Sequence, residues 1–223
     1  MQFHIKPMTK VVIFDLDGVI VDTAKYHYLA WKNVAKQLGF DFTHKQNETL
    51  KGVSRVKSLD KLIEIANVEI TNEEKQRLLI SKNEEYLHYV KEMNADEILP
   101  QIVNVLDFLD ANHIKYALGS ASKNAPLILK KIGLFHRFTA IVDGNEVEKG
   151  KPNPEVFLKA AKKLNAKPSH CIVIEDAFAG VEAANSANML SIGIGNQNDL
   201  FQADIILKDT SKLTEKLLKH ILF

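Results

Sequence analysis

A single cysteine, Cys171, occurs in the 223 residues, so an intramolecular disulfide is excluded, and its apolar neighbours Ile172 and Val173 point to a buried, inert thiol. This usage suits a reducing compartment, and the cytoplasm is the expected location. No apolar run approaches the roughly 18 residues needed to cross a bilayer, and the stretch from Met1 to Lys10 lacks the continuous apolar segment of a signal peptide. Neither a membrane segment nor a signal peptide is expected. Excess charge is also missing. Lysine plus arginine total 29 against 28 acids, a formal net charge of +1, which leaves no broad field to recruit nucleic acid or an anionic membrane. Any binding of phosphate must therefore be local.

What is present is 46% hydrophobic residues, enough to build one large or two modest domains. Internal repeats, low-complexity tracts and disordered linkers are not evident. Short β-branched runs alternate with helical patterns, which predicts a Rossmann-like α/β core, a parallel sheet with helices on both faces. The strands fall at 11–14, 114–118, 140–142, 171–174, 190–194 and 204–207. Helices fit at 101–111, at 124–132 before Gly133, and after Pro154. Residues from about 22 to 93 carry helical periodicity and no convincing strand, so an inserted helical cap over 22–93 is expected, with the core formed by 1–21 and 94–223. Helices are predicted over 24–38, after Ser54, and from Thr71, where Thr71 and Glu74 suggest a capping box.

The segment Val11-Val12-Ile13-Phe14-Asp15-Leu16-Asp17-Gly18 reads as a buried strand that ends abruptly in two acids and a glycine. In open α/β sheets the ligand crevice lies outside the carboxyl ends of the strands, where carboxylates can hold a metal or attack a substrate. Alternation along an extended chain puts Asp15 and Asp17 on one side and Leu16 on the other. A calcium loop starting at Asp15 fails on spacing, because Val19 and Ile20 stand where an oxygen ligand and a glycine are required. Glu175 and Asp176 repeat the pattern after a second apolar run. If the two strands are neighbours, the carboxylates converge and their repulsion demands a cation. Hard oxygen ligands beside a phosphoryl substrate favour Mg2+.

Gly119 to Asn124 lead from another strand into a helix with small residues and hydroxyls, a setting that either receives phosphate oxygens or merely caps the helix. Lys151 precedes a helix start, where it either counters phosphate charge or is solvated.

With these elements in order, the chain resembles the haloacid dehalogenase superfamily and, within it, the β-phosphoglucomutase family. The resemblance rests on Phe14 to Ala24, then Tyr26, His27 and Trp31; on Leu50-Lys51-Gly52-Val53-Ser54-Arg55 followed by Ser58-Leu59; and on Ser120 to Asn124, Lys151-Pro152 and Glu175-Asp176. The chain departs from it at Ala177-Phe178, where a serine is expected. The resemblance implies that Asp15 is the nucleophile and Asp17 the general acid and base. Mg2+ would lie between the Asp15 carboxylate, the Asp17 backbone carbonyl, Glu175 and Asp176. Ser120 and Lys151 would hold the transferring phosphoryl group. Arg55, Ser122, Lys123 and Asn124 would grip a distal phosphate, with Thr23, His27, Trp31, Lys51, Gly52, Val53 and Ala121 completing the contacts to a phosphorylated sugar. A monomer is expected. A sugar-phosphate phosphatase on the same core remains an alternative, as does, from a different class, a phospho-accepting signalling module.

Overall fold

The computed structural model describes residues 10–223. Residues 1–9, on which most of the signal-peptide reading rests, lie outside the described residues. Val11–Phe14 forms β1, and all four of its apolar side chains are buried, as a central strand covered on both faces requires. Burial of such side chains contributes about 1.5–3 kcal/mol each. The other strands are β2 (Tyr116–Gly119), β3 (Ala140–Val142), β4 (Cys171–Glu175), β5 (Leu190–Ile194) and β6 (Ile205–Leu207). They make one parallel six-stranded sheet in the order β3-β2-β1-β4-β5-β6. The order reverses between β1 and β4, which is where a doubly wound sheet opens its ligand crevice. Phe14 pairs with Ile174, and the Asp15 N–H donates to the Ile174 carbonyl at 2.9 Å, so Asp15 and Glu175 leave adjacent strands side by side.

Between β1 and β2 run α1 (Ala24–Gln37), α2 (His44–Glu48), α3 (Arg55–Ala66), α4 (Asn72–Glu92) and α5 (Ile102–Ala111). Trp31 and Val34 of α1 pack with Phe42, Leu50, Leu59, Leu62, Leu78 and Leu79 in a cluster separate from those flanking the sheet. Helices α1 to α4 form the inserted helical group, and the chain's passages into and out of it lie against each other: Val21 bridges Ile98, and the Leu99 N–H donates to the Ile20 carbonyl at 2.9 Å. The remaining helices are α6 (Ala125–Lys131), α7 (Glu155–Lys163), α8 (Phe178–Ser186) and α9 (Glu215–Leu222). Among the described residues, no helix is long and apolar enough to cross a membrane.

Some local expectations shift. The second strand starts at Tyr116 rather than Ile114, because its ladder with β1 begins where Tyr116 meets Val12. The fourth strand extends to Glu175, which pairs with Gly193. At Thr71 only one half of the expected capping box is present: its hydroxyl accepts from the Glu74 N–H at 3.1 Å. The reciprocal box stands instead at Thr43 and Gln46, opening the short α2 that the periodicity did not predict.

Candidate active site

Strand β1 ends by delivering Asp15 into the crevice, and the chain then folds back at once. The Ile20 N–H donates to the Leu16 carbonyl at 2.9 Å, burying Leu16 and leaving both Asp15 and Asp17 on a cavity of about 1120 Å³ between the sheet and the helical group. Gly18 makes the turn with φ of +79°, and a Cβ there would collide with the Asp176 carboxylate. A Cβ at Gly180 would likewise strike the Glu175 carboxylate. Both glycines thus make room for acids.

Beneath the cavity floor, Lys151 is 1% exposed, and its Nζ donates to Asp15 Oδ1 and to Glu175 Oε1, each at 2.6 Å. Burial pulls its pKa down, but Asp15 and then Glu175 hold it above the ordinary lysine value. Burial pushes Asp15 up to about 7 against the pull of Lys151, and burial followed by the charge of Glu175 raises Asp176 well above the carboxylate range. Lys151, with Lys51 3.5 Å from Asp176, gives two cations for the three carboxylates of Asp15, Glu175 and Asp176, so the cluster is short of positive charge. Asp15, Glu175 and Asp176 each present a ligand atom, all within 4.8 Å of one another. The all-oxygen donor set, the glycine cradle and the charge deficit fit a hard divalent cation.

The Asp17 carboxylate stands apart from that set. It accepts from the hydroxyl of Thr23, and His27 Nε2 lies 3.7 Å away. Burial would raise Asp17, but the hydrogen bond and charge of His27, with Thr23, leave it below the ordinary value. On the far side of the ring, Lys82 Nζ is 2.9 Å from His27 Nδ1. An ammonium can only donate, so protonated Lys82 leaves Nδ1 as acceptor and the ring proton on Nε2, facing Asp17. Lys82 is 3% exposed, sits 4.8 Å from the Trp31 ring centroid, and is pushed down to about 7 by burial and then by Arg55. This residue was absent from the set inferred from sequence. Its signal was a lysine in the buried stripe of α4, between Leu78, Leu79 and Tyr86.

The remaining residues divide by position. Ala121, Ser122, Lys123 and Asn124 line one wall; Lys51, Gly52, Val53 and Arg55 line the opposite one. Ser120 is fully buried at the end of β2, its hydroxyl accepting from the Ser122 N–H at 3.1 Å. Thr23 is also fully buried and engages Asp17 rather than the open cavity. Trp31 is 2% exposed and shapes the wall. The walls meet where Lys51 Nζ lies 3.5 Å from Asp176 Oδ2 and where Asn124 Nδ2 donates to Asn83 Oδ1 at 3.0 Å. Arg55 makes no ion pair among the described residues; its Nη1 reaches only the Leu79 carbonyl, at 3.4 Å.

A family model for haloacid dehalogenase-like hydrolases matches residues 9–188. The chain belongs to this family. Within it, the chain is 44% identical to the β-phosphoglucomutase of Bacillus subtilis (strain 168) over 211 residues, covering 94% of this chain and 93% of that protein. It is 31% identical to a phosphorylated carbohydrates phosphatase of Thermotoga maritima over 183 residues, 81% of this chain and 82% of that protein. In three dimensions it is similar to the crystal structure of a β-phosphoglucomutase from Clostridium difficile, with a TM-score of 0.92 and 43% identity over 96% of this chain and 97% of that one. The chain's relatives thus include both a β-phosphoglucomutase and a phosphatase.

Proposed function

We propose that this chain interconverts β-D-glucose 1-phosphate and glucose 6-phosphate through an aspartyl phosphate on Asp15 and a glucose 1,6-bisphosphate intermediate. The observation that carries this reading is the 44% identity to a β-phosphoglucomutase along almost the whole length of both proteins, the helical group included. That group supplies Lys51, Gly52 and Arg55 to the cavity wall opposite Ser122 to Asn124, so cations face the cavity from both sides.

In this reading the Asp15 carboxylate attacks phosphorus and its bond to the sugar oxygen breaks. Asp17, oriented by Thr23 and His27, gives the departing oxygen a proton and takes one from the incoming hydroxyl when the phosphoryl group returns. Lys151 and Ser120 hold the transferring oxygens, and Arg55, Ser122, Lys123 and Asn124 hold the phosphate that is not reacting. Trp31, Val53 and Ala121 shape the sugar site, with Lys51 joining its two walls. Asp15, Glu175 and Asp176, with the Asp17 backbone carbonyl, would hold Mg2+, which when bound neutralises charge on the phosphoryl oxygens and on the carboxylates around them. The two-domain division, with residues 22–93 as a cap over a core of 1–21 and 94–223, belongs to this proposal: closing the cap would exclude water and reserve the phosphoryl group for a sugar hydroxyl.

We place the activity in the cytoplasm, carried by a monomer. The buried Cys171 thiol, pushed up to about 11 by burial, suits a reducing compartment. The test is to supply β-glucose 1-phosphate, Mg2+ and a trace of glucose 1,6-bisphosphate, and to measure glucose 6-phosphate by a coupled dehydrogenase beside inorganic phosphate. Glucose 6-phosphate as the main product supports the mutase. Inorganic phosphate as the main product assigns a phosphatase.

A further inference from the structure

Helix α1 begins without the usual means of support. Its N-cap, Thr23, makes no side-chain cap hydrogen bond, and its first turn contains no acidic residue. The hydroxyl that would cap the helix donates to Asp17 instead. Loss of such a cap destabilises a helix start by a factor of about 5 to 10 in its local equilibrium. Yet this turn carries both side chains that address Asp17, since Thr23 opens it and His27 closes it.

Support comes from outside the cavity. Glu97, in the short helical turn Ala95–Glu97 on the returning passage, directs both carboxylate oxygens at this one turn. Tyr26 Oη donates to Glu97 Oε1 at 2.6 Å and Lys25 Nζ donates to Oε2 at 2.7 Å. The Asp22 N–H, just before the helix, donates to the Glu97 carbonyl at 3.3 Å. The Tyr26 ring in turn stacks on Tyr89 of α4, with centroids 5.4 Å apart and planes within 8°. An isolated surface ion pair contributes little, but here one carboxylate receives two side chains next to the antiparallel bridge between Val21 and Ile98.

We propose that Glu97 is a positioning residue of the reaction: it anchors the uncapped first turn of α1 from behind and so holds Thr23 and His27 on Asp17. The proposal rests on Asp17 being the acid/base group. Glu97 itself touches no reacting atom.

The experiment compares wild type, Tyr26→Phe, Glu97→Ala and the double variant, all with Mg2+, by following phosphorylation of Asp15 from two donors by mass spectrometry. Glucose 1,6-bisphosphate must release a sugar alkoxide, which needs a proton from Asp17. Acetyl phosphate releases acetate, which does not. Phosphorylation from the bisphosphate should fall about 5- to 10-fold in each single variant. Phosphorylation from acetyl phosphate should stay unchanged, and the double variant should be no slower than Glu97→Ala. Tyr26→Phe deletes one hydroxyl and keeps the stacked ring, so it reports on the clasp even if Glu97→Ala folds poorly. A loss of the same size with both donors marks a merely structural role and overturns the proposal, as does no loss with either. Failure of the mutase reading appears separately, as release of inorganic phosphate by the wild type.

Discussion

Lys151 Nζ lies 2.6 Å from Asp15 Oδ1, and the same ammonium lies 2.6 Å from Glu175 Oε1, with all three side chains nearly or fully buried. Removing one partner of such a group leaves uncompensated charge. Lys151→Ala should therefore cost about 3–5 kcal/mol of stability and about 100- to 1000-fold in turnover. Thermal melting should also show a larger upward shift on adding Mg2+ in the variant than in the wild type, because the cation then supplies the missing positive charge. Equal shifts in both proteins would separate Lys151 from the metal site.

Asp17→Ala should separate donors by their leaving groups. Thr23 and His27 both address the Asp17 carboxylate, which stays clear of the Asp15, Glu175 and Asp176 cluster. Without it, Asp15 should still be phosphorylated by acetyl phosphate, while transfer to and from sugar hydroxyls falls by about 100-fold or more. Equal losses with both donors, measured by rapid quench, would remove Asp17 from the acid/base role.

Lys82 makes stability depend on pH. Its folded pKa is about 7 against an ordinary value of 10.5, so between these values the unfolded chain binds a proton that the folded chain does not. Stability contributed by this group therefore rises as pH increases from about 7 to about 10.5, and the penalty of burying it is fully present below pH 7. Lys82→Met should raise the melting temperature most at and below neutral pH, flatten this slope, and lower turnover by releasing His27. A melting temperature that gains nothing at neutral pH would contradict the assignment.

Arg55→Ala distinguishes two uses of the same core. A mutase must hold a second phosphate while the first reacts, and Arg55, with no ion pair among the described residues, stands on the cavity wall to do so. Its loss should cost about 2–4 kcal/mol, roughly 30- to 1000-fold, in sugar phosphate interconversion and far less in hydrolysis of para-nitrophenyl phosphate. Parallel losses in the two assays would point to a phosphatase.

The acidic cluster was legible because it breaks a strong local pattern: buried apolar runs ending in carboxylates at Asp15 and Glu175 need a reason to do so. The α/β alternation predicted a parallel sheet but left the adjacency of β1 and β4 as a condition, which their register in the fold meets. Lys82 was not legible, since a lysine within a helical stripe reads as a solvated interruption until Trp31, Tyr86 and His27 are folded around it. The diversion of the Thr23 hydroxyl from helix cap to Asp17 was equally hidden, because both uses require the same residue at the same position. Five-residue α2 is too short for periodicity to register, although its Thr43 and Gln46 spelled out the cap.

In the proposed reaction Asp15 accepts a phosphoryl group and hands it to a sugar hydroxyl rather than to water. Enzyme loaded from radiolabelled acetyl phosphate with Mg2+, then chased with β-glucose 1-phosphate, tests this in one turnover. The label should leave Asp15 and appear in glucose 1,6-bisphosphate, then glucose 6-phosphate, and Asp15→Asn should take up no label at all. Label released as inorganic phosphate at the same rate with and without the sugar, or carried by the Asn variant, would contradict the account.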